Sequence, residues 1–400
     1  MMGSKRVLLS CLAVLALTAA AFVQTGHGAG EVDGGGPSPA FARASGTRFT
    51  IGGRPFYSNG FNAYWLMYMA SDPGDRSKAS EALEQAASLG ARLVRTWAFS
   101  DGGYRALQVS PGVYSEEVFM GLDFVIAEAK KRGVYLILSL VNNWDGYGGK
   151  KQYMQWARDK GHAMGSDDDF FTNSVTKQFY KNHVKAVLTR VNKITGVAYK
   201  DDPTIFAWEL MNEPRCQSDL SGKTLQGWIA EMAGYVKSVD PNHMVEIGLE
   251  GFYGEDRKQL NPGYTVGTDF IANNLIPAVS GASNEAQVEF MRRWMASHAG
   301  DAAAVLRKPL LVTEFGWSAW SNGYTVAARD AYFRMVYDAV YASARAPGGP
   351  FAGALFWQVM EPGMEGWTDG YDVVLDRSPS TAAVLRQEFA RLGSLSRVAS

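Results

Sequence analysis

From residue 49 onward the chain alternates between two hydrophobic patterns. Short, nearly continuous apolar runs occupy residues 56–62, 91–97, 134–141, 204–210, 243–248, 310–314 and 352–358. Their length and their bounding turn residues predict strands buried on both faces. Between them lie stretches with apolar residues at helical spacing: 75–89, 115–132, 170–193, 224–239, 285–299, 326–345 and 381–392. Several carry their own stops. Gly90 ends the first. The second opens on Ser115 with Glu116 and Glu117 in its first turn, and closes on Lys130, Lys131, Arg132 and Gly133, so its charges complement the helix dipole. Asp202-Pro203 and Asp240-Pro241 break the chain before two of the strands. Ahead of all this, residues 49–57 (FTIGGRPFY) place two apolar runs around Gly52-Gly53, the pattern of a hairpin.

Strands separated by helices predict a parallel sheet with helices outside it. The expected fold is an α/β (β/α)8 TIM-type barrel with an N-terminal hairpin. A doubly wound sheet is the alternative, and the absence of a G-x-G-x-x-G after the first strand weighs against its dinucleotide-binding form. Only seven barrel strands are found. The eighth is due between 243–248 and 310–314, but that interval holds a helical stretch at 268–276 and then PAVSGAS, too short and broken for a buried strand with its loop. The barrel is therefore expected to lack its sixth strand.

The first residues define a compartment. Lys5 and Arg6 precede an apolar run at 7–23, and small residues follow through Gly28. Residues 1–28 are expected to be a secretory signal peptide, sending the protein to the extracellular space or cell wall. An uncleaved anchor is the alternative, since the run is at the lower edge for spanning a bilayer. Residues 29–45, rich in Gly, Ala, Ser and Pro, read as a flexible lead-in to a single domain at 46–395. Removing the signal takes Cys11 with it and leaves Cys216 alone, so no intrachain disulfide is expected. No N-x-S/T sequon occurs. The formal net charge of −1 gives no electrostatic footprint for nucleic acid. Aromatic residues, at 12 %, suit stacking on sugar rings as well as core packing.

Candidate chemistry lies at the C-terminal ends of the strands. One strand runs into Glu209-Leu210-Met211-Asn212-Glu213-Pro214, another into Thr313-Glu314-Phe315-Gly316. Two carboxylates on two strand ends can face each other across a barrel mouth. Glycoside hydrolysis needs such a pair, one to protonate the leaving oxygen and one to attack carbon or activate water. Competing chemistries lack their residues. His162, His183, His243 and His298 have no metal-ligand spacing, and His183 and His298 read as helix-surface residues. Gly148-Gly149-Lys150 lacks the rest of a phosphate loop, and no G-x-S-x-G elbow occurs. Trp144 and Tyr147, in the loop after the third strand, and Trp317 could stack on sugar or fold under their own loops.

Five motifs in this order and spacing resemble the plant-type endo-β-1,4-mannanases of glycoside hydrolase family 5, in clan A: LVRTWAFSDGG at 93–103, LVNNWDGYGGK at 140–150, FAWELMNEPRC at 206–216, LLVTEFG at 310–316 and ALFWQ at 354–358. The resemblance implies a retaining hydrolase acting on internal β-1,4-mannosidic bonds of mannan, glucomannan and galactomannan, without a cofactor. It implies Glu213 as general acid/base and Glu314 as nucleophile. Asn212 would bond the sugar 2-hydroxyl, Arg95 would orient Glu314, and Trp97 and Trp357 would line sugar subsites. The family pattern also includes a His-x-Tyr-Pro type motif at the end of the sixth strand, and this sequence has none. A catalytically impaired, carbohydrate-binding relative is therefore the alternative, and another β-glycanase of the same clan, such as a cellulase, a third.

Overall fold

A computed structural model of the chain describes residues 40–251 and 284–397. Its centre is a curled sheet of seven parallel strands: β4 (Gly60–Asn62), β5 (Leu93–Trp97), β8 (Tyr135–Ser139), β9 (Ile205–Glu209), β10 (Met244–Glu246), β11 (Leu310–Val312) and β12 (Phe351–Phe356). The order is β10-β9-β8-β5-β4-β12-β11, and β6 (Gln108–Ser110) and β7 (Val113–Tyr114) form a separate antiparallel pair. The last strand thus pairs with the first, through Leu355 opposite Gly60, as a barrel requires. Every residue of β5, β9 and β12 is buried, which is why these runs lack polar alternation. The strand due between β10 and β11 falls on residues 252–283, outside the described residues.

The helices outside the sheet are α1 (Leu66–Ser71), α2 (Arg76–Leu89), α3 (Glu116–Arg132), α4 (Gly149–Asp159), α5 (Ser174–Leu188), α6 (Lys223–Val239), α7 (Asn284–Asp301), α8 (Val326–Arg345) and α9 (Pro379–Gly393). The stops read from the sequence operate as expected in α3: the Ser115 hydroxyl accepts the Val118 N–H at 3.3 Å, and Gly133 closes the helix at φ 67°. The segment at 170–193 differs. A 3-10 turn, Asp167–Phe171, precedes α5 because Asn173 caps a fresh helix, its Oδ1 accepting from Val175 N at 2.8 Å. At the far end the Asn192 side chain accepts from the N–H groups of Ile194 and Thr195 and turns the chain. Helices α1 and α4 lie outside the stretches of helical spacing read from the sequence.

The hairpin forms from β2 (Arg48–Ile51) and β3 (Arg54–Phe56), with Gly52 and Gly53 at φ 58° and 77°. It gains a third strand. Residues 42–45, expected as the end of a flexible lead-in, form β1 (Ala42–Ser45), antiparallel to β2. Ala42 is buried there, and Phe41 meets His243 edge-on. Pairing with a formed edge orders residues whose composition alone favours disorder.

The placing of His183 and His298 on helix surfaces is corrected. Both are buried, at 0 % and 7 % exposure. His183 shares the inward face of α5 with Tyr180, Val184 and Val187, and burial pushes its imidazole down to about 4. His298 sits over Trp294 with Nε2 2.9 Å from the Gly251 carbonyl.

Close strand approach at β4 depends on glycine. A Cβ on Gly60 would lie 1.8 Å from the Leu93 carbonyl oxygen of β5, and one on Gly353 would lie 1.9 Å from the Ser58 oxygen. Both obstacles are backbone, so relief requires the strands to part. Gly60→Ala is expected to cost about 3 kcal/mol in urea denaturation. An unchanged midpoint would show that the first two barrel strands do not meet at this distance.

Candidate active site

The site assembles where β4, β5, β9 and β11 end. Arg95, in the middle of β5, points inward and is 1 % exposed. Its guanidinium makes five hydrogen bonds. Nε and Nη2 donate to the two Glu209 oxygens at 2.6 and 2.7 Å, a bidentate pair. Nη1 donates to Asn62 Oδ1 at 3.0 Å and to Glu314 Oε1. Nη2 also donates to Asn212 Oδ1 at 2.6 Å. One cation thus ties together the ends of four strands. Burial alone would lower its pKa, but the charges of Glu209 and Glu314 override this and hold it above its ordinary value.

Glu209 also accepts from the Ser139 hydroxyl. Burial pushes its carboxyl up, and the Arg95 charge, with hydrogen bonds from its neighbours, more than reverses that push. Glu246, on β10, takes the opposite course: burial and the adjacent Glu209 charge raise it well above the carboxylate range. The floor of the site therefore sets one cation beside two carboxyls driven in opposite directions.

Glu213 follows β9 by four residues. Its N–H reaches the Gly248 carbonyl at 3.1 Å, and its φ of 50° puts a non-glycine residue in the left-handed region. Burial and then the Glu314 charge raise its carboxyl well above the ordinary value. The opposing pull is a bond from the Trp144 indole, whose Nε1–H donates to Glu213 Oε2 at 2.6 Å. Trp144 is held in turn by Arg215, stacked 5.0 Å from its ring, and Arg215 by a bidentate pair with Glu250 at 2.6 and 2.7 Å. A buried ion pair thus serves a tryptophan that the sequence offered either as a stacking platform or as packing under its own loop.

Asn212 has its carbonyl toward Arg95, which can only donate, so the assignment of its amide is unambiguous. Its Nδ2 donates to Asn142 Oδ1 at 2.9 Å, leaving one amide hydrogen for another acceptor. Asn62 Nδ2 donates to the Thr313 carbonyl at 2.8 Å and so steadies the backbone before Glu314.

The aromatic candidates divide. Trp357 is half-buried, stacks on Tyr64 (centroids 5.5 Å, planes 10° apart) and donates its Nε1–H to Asp369 Oδ2 at 2.5 Å. Trp97 is 7 % exposed beneath Phe99, Tyr64 and Tyr147, with no partner for its Nε1–H among the described residues. Trp317 is buried edge-on against Tyr332. Arg95, Asn212, Glu213 and Glu314 converge; Trp357 and Trp97 lie along one side, and Trp317 faces inward. Asn62, Glu209, Ser139, Arg215 and Glu250 carry no signal of their own in the sequence, although Glu209, Arg215 and Ser139 sit in or beside the quoted motifs. Among the described residues no group of three or more His, Cys, Asp or Glu is arranged to hold a metal ion.

A parallel barrel whose mouth holds two carboxyls in opposite electrostatic settings is the layout of a clan of glycoside hydrolases. The model of the family described as GH family 5 beta-mannosidase-like matches residues 39–365, and the chain belongs to that family. A rice (Oryza sativa subsp. japonica) protein named putative mannan endo-1,4-beta-mannosidase 9 is 75 % identical over 413 residues, covering 99 % of this chain and all of the relative. Mannan endo-1,4-beta-mannosidase 1 of the same organism is 55 % identical, over 96 % of this chain and 93 % of its own. Among solved structures, the hyperthermostable endo-1,4-beta-D-mannanase of Thermotoga petrophila RKU-1 superposes with a TM-score of 0.69 at 32 % identity, over 83 % of this chain and 99 % of that one.

Proposed function

We propose that the chain is a secreted endo-β-1,4-mannanase that cleaves mannan, glucomannan and galactomannan with retention of anomeric configuration. The observation that carries this is the opposed setting of the two carboxyls. Glu213 is driven toward its protonated form by burial and by Glu314, whereas Glu314 is ion-paired to Arg95. Pairs of titratable groups pushed apart in this way divide into acid and base or nucleophile. Glu213 protonates the departing glycosidic oxygen while Glu314 attacks the anomeric carbon. Glu213, now anionic, then takes a proton from the water that releases the sugar from Glu314. The spare amide hydrogen of Asn212 meets the 2-hydroxyl of the sugar at the cleaved bond, and Trp97 and Trp357 contact sugar rings. The names of the relatives support mannan as the substrate. The apolar run at 7–23 supports secretion, and the low net charge supports a neutral polysaccharide rather than nucleic acid. No cofactor enters the scheme.

The test is reducing-end release from glucomannan by the chain without residues 1–28, with the configuration of the first product followed by proton NMR. Release of the β-anomer first supports double displacement, and release of the α-anomer sinks it. A catalytically impaired, carbohydrate-binding relative is the second reading, and one observation favours it. The alignment with the rice relative runs over 413 residues, more than the 400 of this chain, so that relative carries internal residues this chain lacks. A folded chain that binds glucomannan without turning it over would establish that reading.

Trp144 supplies a pH prediction. Glu213 must hold its proton to act as an acid, so activity falls as pH rises through its pKa. The Trp144 bond favours the carboxylate. Trp144→Phe removes it, and the basic limb of kcat/KM on glucomannan is expected to move to higher pH, while Trp144→His, able to donate, moves it less. A limb unmoved by either change would separate Trp144 from the protonation of Glu213.

A further inference from the structure

Beyond the site itself, an aromatic-walled pocket of about 420 Å³ opens where the loops after β5, β8 and β12 meet α1 and α4. Its volume is in the range of small-molecule sites. Tyr68 comes from α1, Tyr104 from the loop after β5, Tyr147 from the loop after β8 and Trp367 from the loop after β12. These rings are continuous with the active site. Trp97 meets Tyr147 at 5.2 Å between centroids, Tyr147 meets Tyr68 at 5.7 Å, and Tyr68 meets Trp367 at 5.2 Å. The pocket therefore lies several rings from the carboxyl pair, on the same wall as Trp97.

The outer wall is built rather than incidental. Arg105, paired with Asp72, lies 5.1 Å from the Tyr68 ring centroid and 5.4 Å from that of Tyr104. It thereby couples two aromatic faces. Tyr104 itself is 77 % exposed, so its ring is open to a ligand at the mouth of the pocket. Arg105 and Tyr147, at φ 53° and 59°, are two of the four non-glycine residues in the left-handed region among the described residues, and Glu213 is a third. Such backbone strain gathers at functional sites.

The pocket also contains polar groups without partners. Asp101, 1 % exposed, lines it; its Oδ1 accepts from Gln108 at 3.0 Å, and its Oδ2 has no partner among the described residues. Burial pushes this carboxyl up to about 8, so at neutral pH it carries a proton it can donate. The Tyr147 hydroxyl, also buried, has no partner among the described residues either. Gln152 adds an amide to the lining. Flat apolar faces beside unpaired hydroxyl and carboxyl groups match a pyranose, which has apolar ring faces and hydroxyls around its rim. A purely apolar ligand would leave those groups unpaired.

We propose that this pocket is a distal subsite for a hexopyranose unit of the same β-linked chain whose bond is cut at Glu213 and Glu314, with Tyr68, Tyr104 and Trp367 stacking on the sugar and Asp101 and Tyr147 bonding its hydroxyls. This rests on the hydrolase reading for its ligand, and it adds that long chains are held at a place short ones do not reach.

The experiment is isothermal titration of mannohexaose and mannotriose into the Glu314→Gln form, which binds without cutting. The same titrations are made with Tyr104→Ala and Trp367→Ala added separately. Tyr104 is exposed, so its replacement leaves the fold untouched even where Trp367→Ala does not. Hexaose is expected to bind more tightly than triose, and each replacement to weaken hexaose about tenfold while leaving triose unchanged. The pocket is overturned if hexaose and triose bind equally in the parent form, if both weaken alike, or if neither replacement affects hexaose. Turnover of hexaose by the chain with Glu314 intact reports separately on hydrolysis. An inactive chain with Tyr104-dependent hexaose binding keeps the pocket and rejects the hydrolase. An active chain indifferent to both replacements does the reverse.

Discussion

Glu314→Gln is expected to lower the initial rate on glucomannan by about 10⁵-fold or more, the scale on which removing a nucleophile acts. The substitution is nearly isosteric. The amide oxygen can still accept from Arg95 Nη1, so the geometry around Arg95 survives and the loss reports chemistry rather than folding. A neutral amide cannot attack the anomeric carbon and cannot act as the counter-charge to a developing oxocarbenium ion. The companion variant, Glu213→Gln, is expected to behave differently. It loses the proton donor, worth about 10²–10⁴-fold on the polysaccharide. On an aryl mannoside with a good leaving group, the first step needs no proton, so aglycone is released in a burst and the second step becomes slow. Rapid-quench measurement of that burst distinguishes the roles. A burst with Glu314→Gln and none with Glu213→Gln would reverse the assignment.

Arg95→Met is expected to destabilise the fold by about 3–5 kcal/mol, read by urea denaturation at pH 7. The argument rests on what the change leaves behind. Arg95 is buried among Glu209, Glu314, Asn62 and Asn212, and none of these can donate a full positive charge in its place. Removing it leaves buried carboxylates with no cation. Lysine is a poor replacement because a single ammonium cannot reproduce the bidentate pair with Glu209 while also reaching Glu314 and Asn212. The effect is pH-dependent, and its sign follows from Glu209. In the native chain its carboxyl lies below the ordinary 4.5, so the stability it contributes is present above pH 4.5 and is lost as pH falls through the lowered value. Native chain and variant should therefore differ most at neutral pH and converge in acid. A difference that stays constant down to the acid range would place the stabilising role of Arg95 in packing instead of charge.

The consequence for activity follows the same wiring. Arg95 contacts Glu314 and Asn212 directly, and the Glu250–Arg215–Trp144 chain ends on Glu213. Both carboxyls are thus held by buried ion-paired groups, Glu314 by Arg95 on β5 and Glu213, through Trp144, by the Arg215–Glu250 pair. Such groups hold position well because the pairs are expensive to break once desolvated.

Much of this architecture was legible from the order of residues alone. Seven apolar runs became seven parallel strands, since burial on both faces forces a continuous apolar pattern that needs no partner to be recognised. The capping signals at Ser115 and Gly133 act within one turn of chain, and they too were readable. Glu213 and Glu314 could be singled out because strand ends in a barrel all open on one face, and Arg95 and Asn212 through the family resemblance of the motifs that contain them. What lay beyond reach were pairings between residues far apart. Composition marked 42–45 as loose, yet those residues are ordered by the neighbouring β2 edge. Helical spacing could not tell which face of α5 turns inward, so His183 read as exposed. Trp144 offered a ring, and only the packing of Arg215 against it turned its N–H toward Glu213. Glu209 looked like one more acid on a strand, and the burial of Arg95 opposite it made it the anchor of the site. Local pattern and the shared opening of barrel strand ends were enough to reach the seven barrel strands, most of the helices outside them and the two carboxyls. Which carboxyls are driven toward their protons, and which groups are held in place, came only with packing, because pKa and orientation depend on neighbours distant in sequence: Trp144 meets Glu213 across 69 residues and Arg95 meets Glu314 across 219.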